Sequence, residues 1–145
     1  MHKYYEEHFL YNYNPEQINS VCCWTDDDYV TFNIGKPTYI ECGDCKTAQL
    51  VYIDICKRLK ESGKFINARS HLINISNVED IELKHYQSSN HYIVVVLFKG
   101  KGGNAIPCDN CVDAHNMYNY LTEKLNSYKV KNHMQVANLE KTINK

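Results

Sequence analysis

The sequence predicts an α+β fold, dominated by β-strands, in which two similar strand–helix units pack as one domain. Residues 29–32 and 92–95 carry the alternating or continuous β-branched and aromatic pattern that is typical of strands. Apolar residues then recur at helical spacing over residues 48–59 and again over residues 114–125. Because the same elements follow in the same order, the chain is predicted to contain an internal repeat.

The turns of the two units match as well. An asparagine-containing turn opens the match at residues 14–21 and 74–81, and a glycine-containing turn follows each central strand. The next strand ends in Ile-x-Cys-x-x-Cys in both units, at residues 40–45 and 106–111. One unit of two or three strands and a helix cannot bury both faces of its sheet. We therefore expect the two units to pack about a pseudo-twofold axis.

The same patterns set the expected boundaries. The chain of 145 residues is long enough for one domain with a buried core, which we place at residues 8–128. The first unit covers residues 8–62 and the second covers residues 63–128. Residues 129–145 are polar with unevenly spaced apolar side chains, and are predicted to form a tail or a marginal helix.

Composition and charge narrow the functional classes. The formal net charge is −1, so no global basic field draws the protein to nucleic acid or anionic lipid. Residues 1–62 carry six Lys or Arg against ten Asp or Glu, whereas residues 63–145 carry ten against seven. No apolar stretch approaches membrane-spanning length and no signal-peptide core is seen, so a cytoplasmic protein without membrane partners is expected. The abundance of Asn, Ile, Lys and Tyr is typical of a low-GC genome, such as that of a Firmicute, one of its phages or an AT-rich eukaryotic parasite.

The motifs of common enzymes are missing from the sequence. No paired carboxylates, Ser-His-Asp order or dinucleotide fingerprint is present. The sequence therefore predicts a binding protein without catalytic residues.

The two Cys-x-x-Cys pairs are the strongest chemical signal. Cys42 with Cys45, and Cys108 with Cys111, supply the four soft ligands of a tetrahedral structural zinc site. The pairs can share one ion only if the ends of the two units meet in space, because 62 residues separate them. The alternative is four reduced cysteines at strand-to-helix junctions, where small buried residues are common. Structural zinc is the only cofactor that the sequence suggests.

The sharpest motif lies at residues 59–81 and contains Phe65, Ser70, Leu72, Ile73, Asn74, Val78 and Ile81. These residues resemble the LytTR DNA-binding domain of bacterial response regulators, in which a helix leads into a Phe-x-Arg-x-His-x-Ser strand and an Ile-x-x-Ile turn. The resemblance spans roughly residues 14–121, and each half of the chain is also similar to small flagellar proteins of the FlbD kind.

The resemblance implies a transcriptional regulator that binds duplex DNA, as a homodimer or together with a partner. The residues that it directs toward DNA are Arg69, Ser70, His71, Lys99 and Lys101, with Arg69 as the base reader. The chain departs from the family where Asn67 and Ala68 replace the usual Arg and His. Two further contact loops, residues 26–28 and 108–111, carry carboxylates, which repel phosphates.

A second hypothesis follows from those acidic loops. A protein-binding module, such as a phage-encoded inhibitor or an adaptor, would use them to imitate phosphates and to bind a basic protein partner. Zinc would stabilise the module in either case. The two hypotheses differ in the expected partner, which is duplex DNA in the first and a basic protein in the second.

Overall fold

A computed structural model describes residues 14–100 and 102–143. Within these ranges the chain forms eight β-strands and two α-helices, with short 3₁₀ turns at Pro15–Gln17 and Ile75–Asn77. The expected α+β, strand-rich fold class is confirmed. The strands are β1 (Ser20–Cys22), β2 (Tyr29–Asn33), β3 (Pro37–Glu41), β4 (Phe65–Ala68), β5 (His71–Asn74), β6 (Val78–Tyr86), β7 (His91–Phe98) and β8 (Gly103–Cys108). The helices are α1 (Cys45–Lys60) and α2 (Cys111–Ile143).

Five antiparallel strands form sheet A, in the order β3-β2-β1-β5-β4. Helix α1 packs on one face of this sheet, and its N-terminus is capped by Asp44, whose side chain accepts a hydrogen bond from the N–H of Thr47. A capped start and apolar residues at helical spacing direct one stripe of α1 toward the sheet. The buried residues of this stripe are Ala48, Val51, Ile55, Cys56 and Leu59.

The other three strands form sheet B, in the order β6-β7-β8. Ile81 pairs with Val96, and Val94 pairs with Ile106, so these side chains share the inner face of the sheet. Helix α2 packs on the strands of sheet B and adds Ala114, Leu121 and Leu125 to the same core.

Strand β5 contributes to both cores. Leu72 packs into the core beneath α1, whereas Ile73 packs into the core shared with sheet B and α2. Successive side chains of a strand point to opposite faces of the sheet. Sheet A therefore lies between α1 on one face and the second core on the other.

The order of elements repeats along the chain. A 3₁₀ turn, three strands and a helix occur first between residues 15 and 60, and again between residues 75 and 143. Local contacts repeat too: Asn14 and Asn74 each accept a hydrogen bond from the N–H two residues later. The hairpin of β4 and β5 stands between the repeats and extends sheet A through β1.

Asn74 lies where the chain leaves sheet A for sheet B, and it is fully buried. Its Nδ2 donates to the carbonyl of Ile18 at 3.0 Å, and its Oδ1 accepts from the N–H of Ser76 at 3.1 Å. Its backbone N–H donates to the carbonyl of Asn19 at 2.8 Å. The polar groups of this buried side chain are thus satisfied, and they tie the start of the first repeat to the start of the second.

Asn104 makes a second link between the sheets. Its Oδ1 accepts from the Oγ of Ser20 at 2.6 Å and from the Nδ2 of Asn33 at 3.2 Å. Ser20 and Asn33 are paired neighbours on β1 and β2, whereas Asn104 lies on β8. The two sheets are therefore joined by polar contacts as well as by apolar packing.

Helix α2 is much longer than the core requires. Its 33 residues span about 50 Å at the usual rise per residue. Leu125 is its last buried side chain among those described. Residues 129–143 continue the helix beyond the core, while residues 8–13, 144 and 145 of the expected boundaries lie outside the described residues. No helix in the described part of the chain is long and apolar enough to cross a membrane.

Replacing Asn74 with alanine is expected to lower the free energy of unfolding by about 3 kcal/mol, because the Ile18 carbonyl and the Ser76 N–H lose their buried partner. Urea denaturation of the purified protein measures this change. Asn67→Ala, at an exposed position on β4, is the matched control and should change stability by less than about 0.5 kcal/mol. Equal effects of the two substitutions would contradict a special role for Asn74.

Candidate binding surface

The four cysteines proposed as zinc ligands do not meet. Cys42 packs in the core beneath α1, and Cys108 packs in the separate core of sheet B and α2. Their partners in sequence, Cys45 and Cys111, are exposed at the first positions of the two helices. Within residues 14–100 and 102–143, no three His, Cys, Asp or Glu side chains are grouped as metal ligands. The expected four-cysteine site is therefore not formed.

The geometry of the strand-to-helix junction explains this correction. The Sγ of Cys42 donates to the carbonyl of Ile40, and the Sγ of Cys108 donates to the carbonyl of Ile106, so each first cysteine turns inward. Burial raises the pKa of both thiols, which favours the protonated form over the thiolate that binds zinc. The Cys-x-x-Cys spacing marks equivalent junctions in two repeats and does not create a shared ligand set.

Arg69, expected to read bases, is already ion-paired. It lies in the tight turn between β4 and β5 with a positive φ of 57°, a conformation that is uncommon for residues other than glycine. Its Nη1 lies 3.4 Å from the Oδ2 of Asp109, and its Nη2 lies 3.2 Å from the Oδ2 of Asp113. The guanidinium therefore faces two carboxylates at the start of α2.

Ser70 and His71 are placed by the same turn. The backbone carbonyl of Ser70 accepts a hydrogen bond from the hydroxyl of Tyr52 at 3.1 Å. His71 is only 3% exposed and meets the ring of Trp24 edge to face, with centroids 5.2 Å apart. Burial lowers the pKa of His71 to about 4, so the ring is neutral near pH 7 and supplies no positive charge.

Lys99 lies far from Arg69. Its Nζ donates to the carbonyl of Ser76 at 3.3 Å, beside the end of β7 and the start of β8. Asp109, which holds Arg69, follows the other end of β8, and a six-residue strand is about 20 Å long. The structure thus separates two of the residues expected to contact DNA together, and Lys101 lies outside the described residues.

Five carboxylates lie beside the turn between β4 and β5, at the end of sheet A where α1 begins. They come from the loop between β1 and β2, the end of β3 and the cap of α1. The charges of Glu41, Asp28 and Asp44 all raise the pKa of the Cys42 thiol, after the larger effect of its burial. We call this group the acidic surface, and its carboxylates are Asp26, Asp27, Asp28, Glu41 and Asp44.

Aromatic side chains are interspersed with these carboxylates. Trp24 is 43% exposed and Tyr39 is 53% exposed, which is unusual for side chains of this size. The rings of Tyr29 and Tyr39 meet edge to face with centroids 5.3 Å apart. The charge of Asp27 is the main cause that raises the pKa of Tyr29, so the ring and the carboxylate are close neighbours. These three aromatic residues complete the acidic surface.

The opposite end of the molecule is rich in lysine. Lys99 and Lys129 line a groove beside the second half of α2, and Lys124 and Lys131 line another groove. Ile75 borders both grooves, and its N–H donates to the carbonyl of Lys64. We call this group the lysine surface, and its members are Lys64, Lys99, Lys124, Lys129 and Lys131.

The helices account for this separation of charge. Both helices begin near the acidic surface or the turn of Arg69, and both run toward the lysine surface. Carboxylates are favourable near the positive N-terminal end of a helix, and lysines are favourable near its negative C-terminal end. Part of the pattern thus stabilises the helices, but this effect does not require exposed aromatic rings among the carboxylates.

Sequence reasoning missed several of these residues. Neither Asp109 nor Asp113 was recognised as a partner of Arg69. Asp109 lies 40 residues after Arg69 in the sequence, and Asp113 lies four residues further on. Tyr39 was missed as well, although its place opposite Thr31 on β2 follows from pairing two strands across a glycine turn. The alternation of Thr38, Tyr39 and Ile40 was the available signal, because Ile40 is buried and Tyr39 must then face away.

No family model, curated protein or solved structure matches this chain. The LytTR resemblance therefore stays a prediction.

Acidification is expected to destabilise the protein through His71. The folded pKa is about 4 and the ordinary value is 6.5, so between these values the unfolded chain binds a proton that the folded chain does not. The contribution of His71 to the free energy of unfolding is fully present above pH 6.5. It falls by about 3 kcal/mol as the pH drops toward 4. Urea unfolding at a series of pH values measures the slope.

Two histidine variants isolate this effect from that of the carboxylates. His71→Phe should flatten the slope between pH 6.5 and 4, because the titrating group is removed. His85→Phe, at an exposed position that stacks on Tyr92, should leave the slope unchanged. A wild-type slope in His71→Phe would show that His71 is protonated equally in both states.

Proposed function

We propose that this chain is a non-enzymatic binding protein whose acidic surface docks a basic segment of a protein partner. The observation that carries the proposal is the combination of five carboxylates with the exposed rings of Trp24 and Tyr39. Carboxylates alone would be an ordinary solvated surface. Large exposed aromatic side chains among them are typical of the centre of a protein interface.

Each component of the surface has a separate physical role. The clustered carboxylates attract a lysine- or arginine-rich segment over several ångströms and raise its rate of association. The rings of Trp24 and Tyr39 bury apolar area on contact, and they also attract cations through their faces. The carboxylates thus raise the rate of association and select a cationic partner, while burial of the aromatic rings supplies most of the binding affinity.

The surroundings of Arg69 support a protein partner over base reading at this end of the molecule. A guanidinium that already contacts Asp109 and Asp113 would have to leave both carboxylates before it could reach a base. The released carboxylates would then face the phosphates, at an energetic cost. An inhibitor or adaptor that imitates a nucleic acid with its carboxylates has no such conflict.

Duplex DNA at the lysine surface is the second candidate. Lys99, one of the residues expected to contact DNA, stands there with four other lysines. Lysines can neutralise phosphates without base readout. The two arginines, Arg58 and Arg69, are both ion-paired with carboxylates, so the fork-shaped guanidinium that recognises guanine best already has a partner in each case.

The only tryptophan of the chain is a built-in reporter for the proposal, because Trp24 belongs to the acidic surface. Titration with a short peptide of alternating arginine and leucine should shift its fluorescence, with an affinity that falls as salt is added. Asp26→Asn with Asp28→Asn should weaken binding by about tenfold, which corresponds to roughly 1.4 kcal/mol.

The matched control removes the same charge elsewhere. Glu61→Gln with Glu79→Gln neutralises two exposed carboxylates outside the acidic surface, and should leave the affinity within about twofold. Equal loss in both double variants would indicate a general charge effect. Failure of the peptide to bind, together with retention of labelled duplex DNA that Lys99→Gln weakens, would replace this proposal with the second candidate.

A further inference from the structure

The last four turns of α2 bury no side chain among those described. Residues 129–143 continue the helix for about 22 Å past Leu125 and Tyr128, and only the first two turns still border grooves shared with Ile75 and Lys99. Val136 and Leu139 continue the stripe that packs on sheet B, but they are 48% and 61% exposed. Val130 and Met134, one turn apart on the other side of the helix, are 58% and 59% exposed. We call residues 129–143 the α2 extension.

The extension is also basic. Its described side chains carry three lysines, Lys129, Lys131 and Lys141, against one carboxylate, Glu140. A short helix that exposes apolar side chains between lysines is a typical ligand for an acidic groove or surface. Two such extensions side by side would bring like charges together, which disfavours direct pairing of α2 with α2.

We infer that the α2 extension of one molecule docks on the acidic surface of a second copy of this chain, so that copies associate head to tail. This inference rests on the proposed function, and names the basic segment as one carried by the same protein. Asp26, Asp28 and Glu41 face the lysines of the extension across the contact. Trp24 and Tyr39 cover its exposed apolar side chains.

Intramolecular docking is excluded by the positions of the two surfaces. The extension belongs to the end of the molecule that carries Lys99, and the acidic surface lies at the end where α1 begins. A rigid helix that leaves one end cannot return to the other. The contact is therefore heterologous, and each molecule keeps one free surface of each kind to add further copies.

Sedimentation velocity of the full-length protein tests the inference. At low salt the average mass should rise with concentration past that of a dimer, and at high salt it should fall to that of a monomer. Two variants each remove one side of the contact. Asp26→Asn with Asp28→Asn alters the acidic surface, and Lys129→Gln with Lys131→Gln alters the extension. Each variant alone should remain a monomer, even at a protein concentration about tenfold higher than the one at which the unmodified protein associates.

Mixing the two variants gives the decisive result. The intact extension of the first variant should dock on the intact acidic surface of the second, which yields a one-to-one complex that cannot grow. Glu61→Gln with Glu79→Gln should associate like the unmodified protein. Far-ultraviolet circular dichroism checks that every variant is folded.

Other outcomes would overturn the inference. A mixture of the two variants that remains monomeric would overturn it. A dimer that resists salt and is lost in Leu139→Asp would also overturn it, since that pattern indicates symmetric apolar pairing of α2 with α2. If the protein is monomeric throughout but Trp24 still reports the cationic peptide, the self-association fails while the proposed function stands. If the peptide also fails to bind, both fail.

Discussion

The buried amide of Asn74 is the interaction on which the arrangement of the two sheets depends. Strand β5 ends at this residue, and the 3₁₀ turn that follows redirects the chain into sheet B. The hydrogen bonds to Ile18 and Ser76 leave few alternative directions for that turn. Because β5 supplies Leu72 to one core and Ile73 to the other, the path of the chain after Asn74 determines how both cores close.

The direction of the helices then determines the distribution of charge. Two repeats that each end in a helix place their helix N-termini toward one end of the molecule and the later turns of α2 toward the other. Carboxylates and lysines are stabilised at opposite ends of such helices. A protein with little net charge thereby presents one acidic and one basic surface, and the exposed rings of Trp24 and Tyr39 distinguish the acidic one.

Local pattern predicted the central strands, both helix starts and the repeated order of elements, because alternation, helical spacing and turn residues are local signals. It missed strand β6, since Val78 and Ile81 were interpreted as part of a turn. It could not predict whether Cys42 and Cys108 would meet, since each is drawn into a different core by packing. It also missed that Arg69 is held by carboxylates 40 or more residues away. The sequence did not decide whether the α2 extension is a helix or an irregular tail. Its apolar residues have no core to pack on, so their spacing carries little information about secondary structure.

Residue-resolved NMR during titration with the cationic peptide tests the central claim most directly. We expect amide signals of residues 24–29 and 39–44 to shift together in ¹H–¹⁵N spectra, while those of Lys64, Lys99 and Lys124 stay in place. Shifts confined to the lysine surface, or the same shifts with a peptide in which glutamate replaces arginine, would contradict it. The first result would show that the acidic surface is an ordinary solvated surface, and the second that its carboxylates do not select a cationic partner.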